Sequence, residues 1–195
     1  VKHVHEYDDD LLINSFHSKW GEVGGLNFIL EYASPFLERI GIGWEEKELT
    51  ISHEHFSTEC LIGFLSEKWR QMNARKDGPI VLITALPGDP YNLGILMCAI
   101  VTSITRFKIV YLGIDSPIDE IIRIAKNDSP RVITFSISHS MSSEFTEDCL
   151  FRIRGSVSEK SLIITGGKGS PCNIPGVSHL PDFKKYYEFL QDINN

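Results

Sequence analysis

Three things are scarce in this sequence, and each scarcity removes a class of function. Positive charge is short: 19 Lys and Arg stand against 26 Asp and Glu in 195 residues, a formal net charge of −7. Such a chain offers neither the basic surface that tracks a nucleic-acid backbone nor one that adheres to anionic lipid. Cysteine is sparse and scattered, and Cys60, Cys98, Cys149 and Cys172 leave no pair at metal-ligand spacing. Reduced thiols of a cytosolic protein are expected. Apolar runs stay well below the roughly 18 residues that a membrane span needs, and no signal peptide is recognisable, so the reading is of a soluble, cytoplasmic protein. The first residue is Val1, not Met, which suggests a piece cut from a longer chain. Catalytic signatures are missing too: there is no phosphate loop, no Gly-x-Ser-x-Gly turn and no metalloprotease helix.

What is present is enough apolar residue, 42%, for a sizeable core. Residues 1 to 7 read as a ragged terminus, where His3 and His5 form a fortuitous His-x-His. From Asp8 the period turns helical, with Leu11, Leu12, Ser15, Phe16 and Lys19 on one face, until Trp20 to Gly25 breaks it. Leu26 to Ala33 makes a second run, stopped by Ser34-Pro35; Phe36 to Trp44 makes a third, and Thr50 to Met72 a fourth and longer one. Four helices in about 70 residues predict a small bundle over residues 1–76.

From residue 77 to 195 the texture changes. Ile80 to Leu86, Phe107 to Gly113, Arg131 to Ser138 and Ser161 to Gly167 are short continuous runs rich in Ile and Val, separated by helical patterns near 91–105, 117–127 and 142–155. Strands of a parallel sheet read this way because helices cover both faces. A weaker strand at Val177 to Leu180 and a helix at Asp182 to Gln191 complete five βα units. The fold class is therefore α/β, a flavodoxin-like five-stranded parallel sheet behind a four-helix bundle.

In such a sheet ligands gather at the carboxyl ends of the strands. Three strand ends carry candidate residues: Asp89-x-Tyr91-x-x-Gly94, then Ser136-Ile137-Ser138 with His139 behind it, then Gly166-Gly167. The small residues at the second and third ends predict a slot for something long and thin.

Those three stretches resemble the cobalamin-binding domain family, in which an Asp-x-His-x-x-Gly motif, a Ser-x-Leu strand end and a Gly-Gly turn recur at nearly fixed intervals. Here residues 95–135 and 139–165 separate them. Trp44, nine intervening residues and then Glu54-His55 resembles the signature of the light-sensing branch, the CarH and LitR type regulators. The resemblance spans residues 8 to 190. It implies a sensory and regulatory module, not an enzyme, that holds a corrinoid, adenosylcobalamin above others, between bundle and sheet. By the resemblance, Trp44, Glu54 and His55 cap an upper axial group, Asp89, Tyr91 and Gly94 belong to the lower loop, and Ser136, Ser138, Gly166 and Gly167 line the slot of the nucleotide tail. The implied partners are the tetrapyrrole and either a second copy of the chain or an effector protein, with DNA binding left to another domain.

The sequence departs from that family at its centre. Tyr91 stands where the lower cobalt ligand His is expected, Ser138 replaces the Leu of the Ser-x-Leu end, and Glu45 follows Trp44 where a light-state His is common. A neutral imidazole binds cobalt readily, whereas a phenol must first lose its proton. Three readings remain open: cobalamin held with its own base on, or with water or a different His as ligand; haem or biliverdin in its place, with His55, His139 and Tyr91 as candidate iron ligands; or a domain without cofactor that serves in protein interaction. A corrinoid methyl carrier or mutase subunit is the enzymatic alternative.

Overall fold

The computed structural model describes residues 2–74 and 76–193. The chain divides into two compact units, Val1–Met72 and Asn73–Asn195.

The first unit is helical. A short helix α1, Lys2–His5, buries Val4, so residues 2–5 of the stretch expected to be ragged are helical, while Val1 lies outside the described residues. Asp8 then caps α2, Asp9–Asn27, by accepting the N–H of Leu11 at 2.9 Å, and Asp9 and Asp10 put negative charge in the first turn where the helix dipole favours it. The glycine-rich stretch kinks this helix at Gly24 (φ 75°, ψ 171°) without ending it. Ser34-Pro35 does not stop the next run either. Phe28–Ala33 is a π-helical turn, in which the Ser34 N–H reaches back five residues to the Ile29 carbonyl, and it leads straight into α3, Ser34–Glu45. Pro35 lies in the first turn of α3, where a missing N–H costs nothing.

The last helix, α4, is Ile51–Asn73. Its Phe64 meets Phe16 and Phe28 at ring-centroid distances of 5.5 and 5.3 Å, and these three rings with Leu12, Leu61 and Leu65 form the centre of the unit. Truncating a ring so placed removes about 3–5 kcal/mol. His53, expected in solvent, instead packs 4.7 Å from the ring of Tyr7, and its Nδ1 lies 3.1 Å from the Thr50 N–H at the start of α4.

The second unit is a five-stranded parallel sheet. Its elements run β1 Ile80–Thr84, α5 Leu93–Ser103, β2 Lys108–Gly113, α6 Ile118–Asp128, β3 Val132–Ser136, α7 Ser143–Ser156, β4 Leu162–Gly166, β5 Val177–His179 and α8 Phe183–Asp192. The strand order β2-β1-β3-β4-β5 with every pair parallel is flavodoxin-like. Ile133 and Phe135 of β3 join Ile121, Leu150 and Ile153 of α6 and α7 in one core. The intervening Thr134 bonds Tyr186 of α8, so α8 covers the opposite face. On that side α5 is buried from Ile95 to Ser103, in keeping with a sequence apolar all round. At the sheet edge the Asn73 amide substitutes for a strand neighbour, donating to the Phe107 carbonyl at 2.9 Å and accepting the Ile109 N–H at 3.0 Å.

Candidate functional site at the switch point of the sheet

Strand order reverses between β1 and β3, which opens a crevice at their carboxyl ends. The loop after β1 carries Asp89, which is fully buried. One carboxylate oxygen accepts the Tyr91 N–H at 3.2 Å, and the other accepts the Ser138 N–H at 2.8 Å from the loop after β3. Burial of a carboxylate is tolerable only with such donors. Asp89 therefore closes the loop on itself and ties it across the crevice. Tyr91 is turned outward, 53% exposed, with its ring centroid 6.1 Å from that of His139, also exposed. Asp89, Tyr91, Ser138 and His139 thus form one cluster. The Ser138 hydroxyl pairs with that of Ser140 at 2.7 Å and not with the crevice loop.

A second group lies beside it on the α5 and α8 face. Ser136 ends β3 and faces Gly166 in register, and Gly94 sits in the first turn of α5. A β-carbon on Gly94 would stand 2.0 Å from Ser136 Oγ and 2.9 Å from Ser136 Cβ, so helix and strand end meet closer than any side chain allows. Gly167 has φ +94°, and a β-carbon there would stand 2.3 Å from the Ile137 carbonyl oxygen. Beside these approaches lies a slot of about 130 Å³ whose walls include Ser136, Gly166, Gly167, Leu180, Phe183 and Tyr186.

The depth of the slot was not legible in the residue pattern. The Tyr186 hydroxyl lies 2.8 Å from Thr102 Oγ1 and 3.0 Å from Thr134 Oγ1, a buried trio that braces α5, β3 and α8. Burial, followed by the neighbouring Cys98, pushes the phenol up, and the two threonine bonds only partly offset this. Burial pushes the Cys98 thiol up to about 12, so that it lines the slot as an inert apolar group. Tyr186 and Leu190, four apart in the last helical run, announced an inward face but not what it would touch. The loop after β4 adds Gly169, whose N–H donates to the Ile137 carbonyl at 3.1 Å.

The remaining predicted residues belong to the helical unit. Trp44 lies in the last turn of α3 and is 50% exposed, while Glu54 and His55 lie in the first turns of α4. Thr58 Oγ1 donates to one Glu54 oxygen at 3.1 Å, and the other is 3.4 Å from His55 Nε2, whose ring is exposed. Among the described residues no cluster of three or more His, Cys, Asp or Glu could hold a metal ion, and no helix is long and apolar enough to cross a membrane.

No family model and no curated relative matches this sequence. Solved structures do match its shape. The monomethylamine corrinoid protein of Methanosarcina barkeri superposes with a TM-score of 0.71 at 14% identity, over 95% of each chain. The methanol:cobalamin methyltransferase complex MtaBC of the same organism superposes with a TM-score of 0.51 at 12% identity, over 99% of this chain and 77% of that one. At such identities what is shared is the fold, an N-terminal helical part followed by a Rossmann-like parallel sheet, and this chain has that fold.

Proposed function

We propose that this chain is a cobalamin-binding module that senses rather than catalyses, and that it takes the corrinoid's nucleotide tail into the slot beside Gly166 and Gly167. The observation that carries the reading is the fit of that slot. It is largely apolar, and Gly166 and Gly167 give it a stretch of wall that is backbone without side chains. A planar heterocycle suits such a space, with Ser136 at the rim as the free hydroxyl to meet its polar edge. Tyr186, Thr102 and Thr134 satisfy one another at the base, whereas Thr165 Oγ1, of the same lining, is buried without a hydrogen-bond partner among the described residues.

When bound, cobalamin supplies a cobalt–carbon bond that light or a nucleophile can break. The chain's own residues position it. Asp89 fixes the crevice loop and Gly94 lets α5 close on β3, and Tyr91 and His139, side by side at the crevice mouth, would be the residues to meet a bound macrocycle. The assignment of Trp44, Glu54 and His55 to an upper axial group, and with it the light-sensing branch, rests on the resemblance of those residues alone. A corrinoid methyl carrier is the second reading, favoured by the superposition on the monomethylamine corrinoid protein over nearly the whole chain.

The deciding experiment is gel filtration of the apoprotein after incubation in the dark with adenosylcobalamin, methylcobalamin, hydroxocobalamin, haemin or biliverdin, followed by spectra before and after illumination. Retention of adenosylcobalamin with a light-dependent spectrum and a change in oligomeric state supports the sensor. Retention without any response to light, with methylcobalamin demethylated by a thiol and a methyltransferase, moves the reading to the carrier. Retention of haemin or biliverdin alone makes Tyr91 the mark of a changed cofactor.

A further inference from the structure

We infer that His139, not Tyr91, is the residue by which this chain ligates the metal of its bound macrocycle. The inference rests on the corrinoid reading above and deepens it. Two side chains able to bind a metal stand together at the crevice mouth, and their rings lie 6.1 Å apart at a tilt of 32°. They are not equal donors. A phenol must shed its proton to bind a metal, whereas a neutral imidazole offers a lone pair as it stands. The carboxylate able to take that proton would be Asp89, yet it is buried with one oxygen on the Tyr91 N–H and the other on the Ser138 N–H. Among the described residues the Tyr91 hydroxyl has no hydrogen-bond partner, and neither ring nitrogen of His139 has one.

Position favours His139 as well. Its backbone follows the most firmly held stretch at the crevice. The Ile137 N–H donates to the Gly166 carbonyl at 2.8 Å, the Ile137 carbonyl accepts the Gly169 N–H at 3.1 Å, and the Ser138 N–H is held by Asp89 at 2.8 Å. A ligand on such a base is preorganised, so that little order is lost when its imidazole meets a metal. One protein ligand is also all that a metal held in a macrocycle requires. No three-residue metal cluster exists among the described residues, and a macrocycle brings its other four donors itself. Ser138 and Ser140, on either side of His139 in the chain, pair with each other at 2.7 Å.

The test is electron paramagnetic resonance of cob(II)alamin bound to the full chain grown with ¹⁵N-histidine. A histidine on cobalt splits the high-field lines into doublets, whereas the cofactor's own unlabelled benzimidazole splits them into triplets. The expected result is doublets in the parent protein, lost in His139→Ala and in His139→Gln. Because His139 is exposed, neither variant should alter the circular dichroism or the melting temperature. Triplets in the labelled protein, or no nitrogen splitting at all, overturn the assignment while leaving corrinoid binding intact. Doublets that survive both variants also overturn it, since they place the ligand on another histidine. Failure of the parent protein to retain any corrinoid through gel filtration removes the corrinoid reading itself, an outcome visible before any spectrum is recorded.

Discussion

The buried carboxylate of Asp89 accepts the backbone N–H of Ser138 at 2.8 Å, across a separation of 49 residues, and so bridges the two strand ends between which the sheet changes direction. The same carboxylate holds the Tyr91 N–H. Asp89→Asn replaces one acceptor oxygen by an amide that points N–H at N–H. The expected loss is about 1–3 kcal/mol of stability in urea unfolding. If the chain holds a corrinoid as proposed, a weaker complex should accompany it even at temperatures where the variant is fully folded. An unchanged unfolding midpoint would remove Asp89 from its bridging role.

The meeting of Gly94 and Ser136 is open to a double-mutant cycle. Gly94→Ala drives a β-carbon into the Ser136 side chain and should destabilise by about 1–3 kcal/mol. Adding Ser136→Gly should recover most of that loss, because the obstructing atoms are the serine's own. Gly167→Ala should admit no such rescue, since its obstacle is the Ile137 carbonyl and its φ of +94° disfavours any side chain. Equal rescue of both would contradict the geometry.

Stability should fall with alkali through the groups at the base of the slot. The folded chain keeps the Cys98 proton up to about 12, while an unfolded thiol releases it near 8.5. Tyr186 is likewise pushed up by burial, against an unfolded phenol that titrates near 10. Below about pH 8.5 both states hold these protons and the contribution is full. As pH rises towards 12 the unfolded state alone releases them, so stability declines. Cys98→Ala should flatten that decline when denaturation midpoints are compared between pH 8 and 11, whatever its effect at neutral pH.

Tyr186→Phe tests the buried trio at neutral pH. Thr102 Oγ1 keeps its bond to the Cys98 carbonyl at 2.8 Å, but Thr134 Oγ1 loses the Tyr186 hydroxyl and is left buried. A cost of about 1–3 kcal/mol is expected in thermal or urea unfolding. Thr134→Val in the same background should restore part of it.

Trp44→Ala addresses the helical unit. Half the indole is exposed, so stability should change by less than about 1 kcal/mol. If Trp44 meets an upper axial group, the variant should bind adenosylcobalamin about tenfold more weakly, corresponding to about 1.4 kcal/mol, and lose its light-dependent change in oligomeric state. Unchanged affinity, absorbance and oligomeric state would dispose of the cap.

Much of this protein was written in its sequence because the relevant forces are local. The Ile- and Val-rich runs at 80–86, 107–113, 131–138 and 161–167 bury both faces, and no structure but a covered parallel sheet accommodates four of them between helical periods. The three strand ends with Asp89, Ser136 and Gly166 follow from that topology, as does their gathering at one edge. Local signals failed where neighbours in space overruled them. Gly24 kinks a helix that packing continues, Ser34-Pro35 enters a helix through a π-helical turn that supplies a five-residue hydrogen bond, and His53 finds Tyr7 instead of water. Only the tertiary structure decided that Asp89 binds the Ser138 backbone and not the Tyr91 hydroxyl, that Tyr186 closes the slot with two threonines, and that His139 stands beside Tyr91. Each of those contacts joins residues whose separation along the chain carries no periodic signal, and their distances are set by how helices and strands pack.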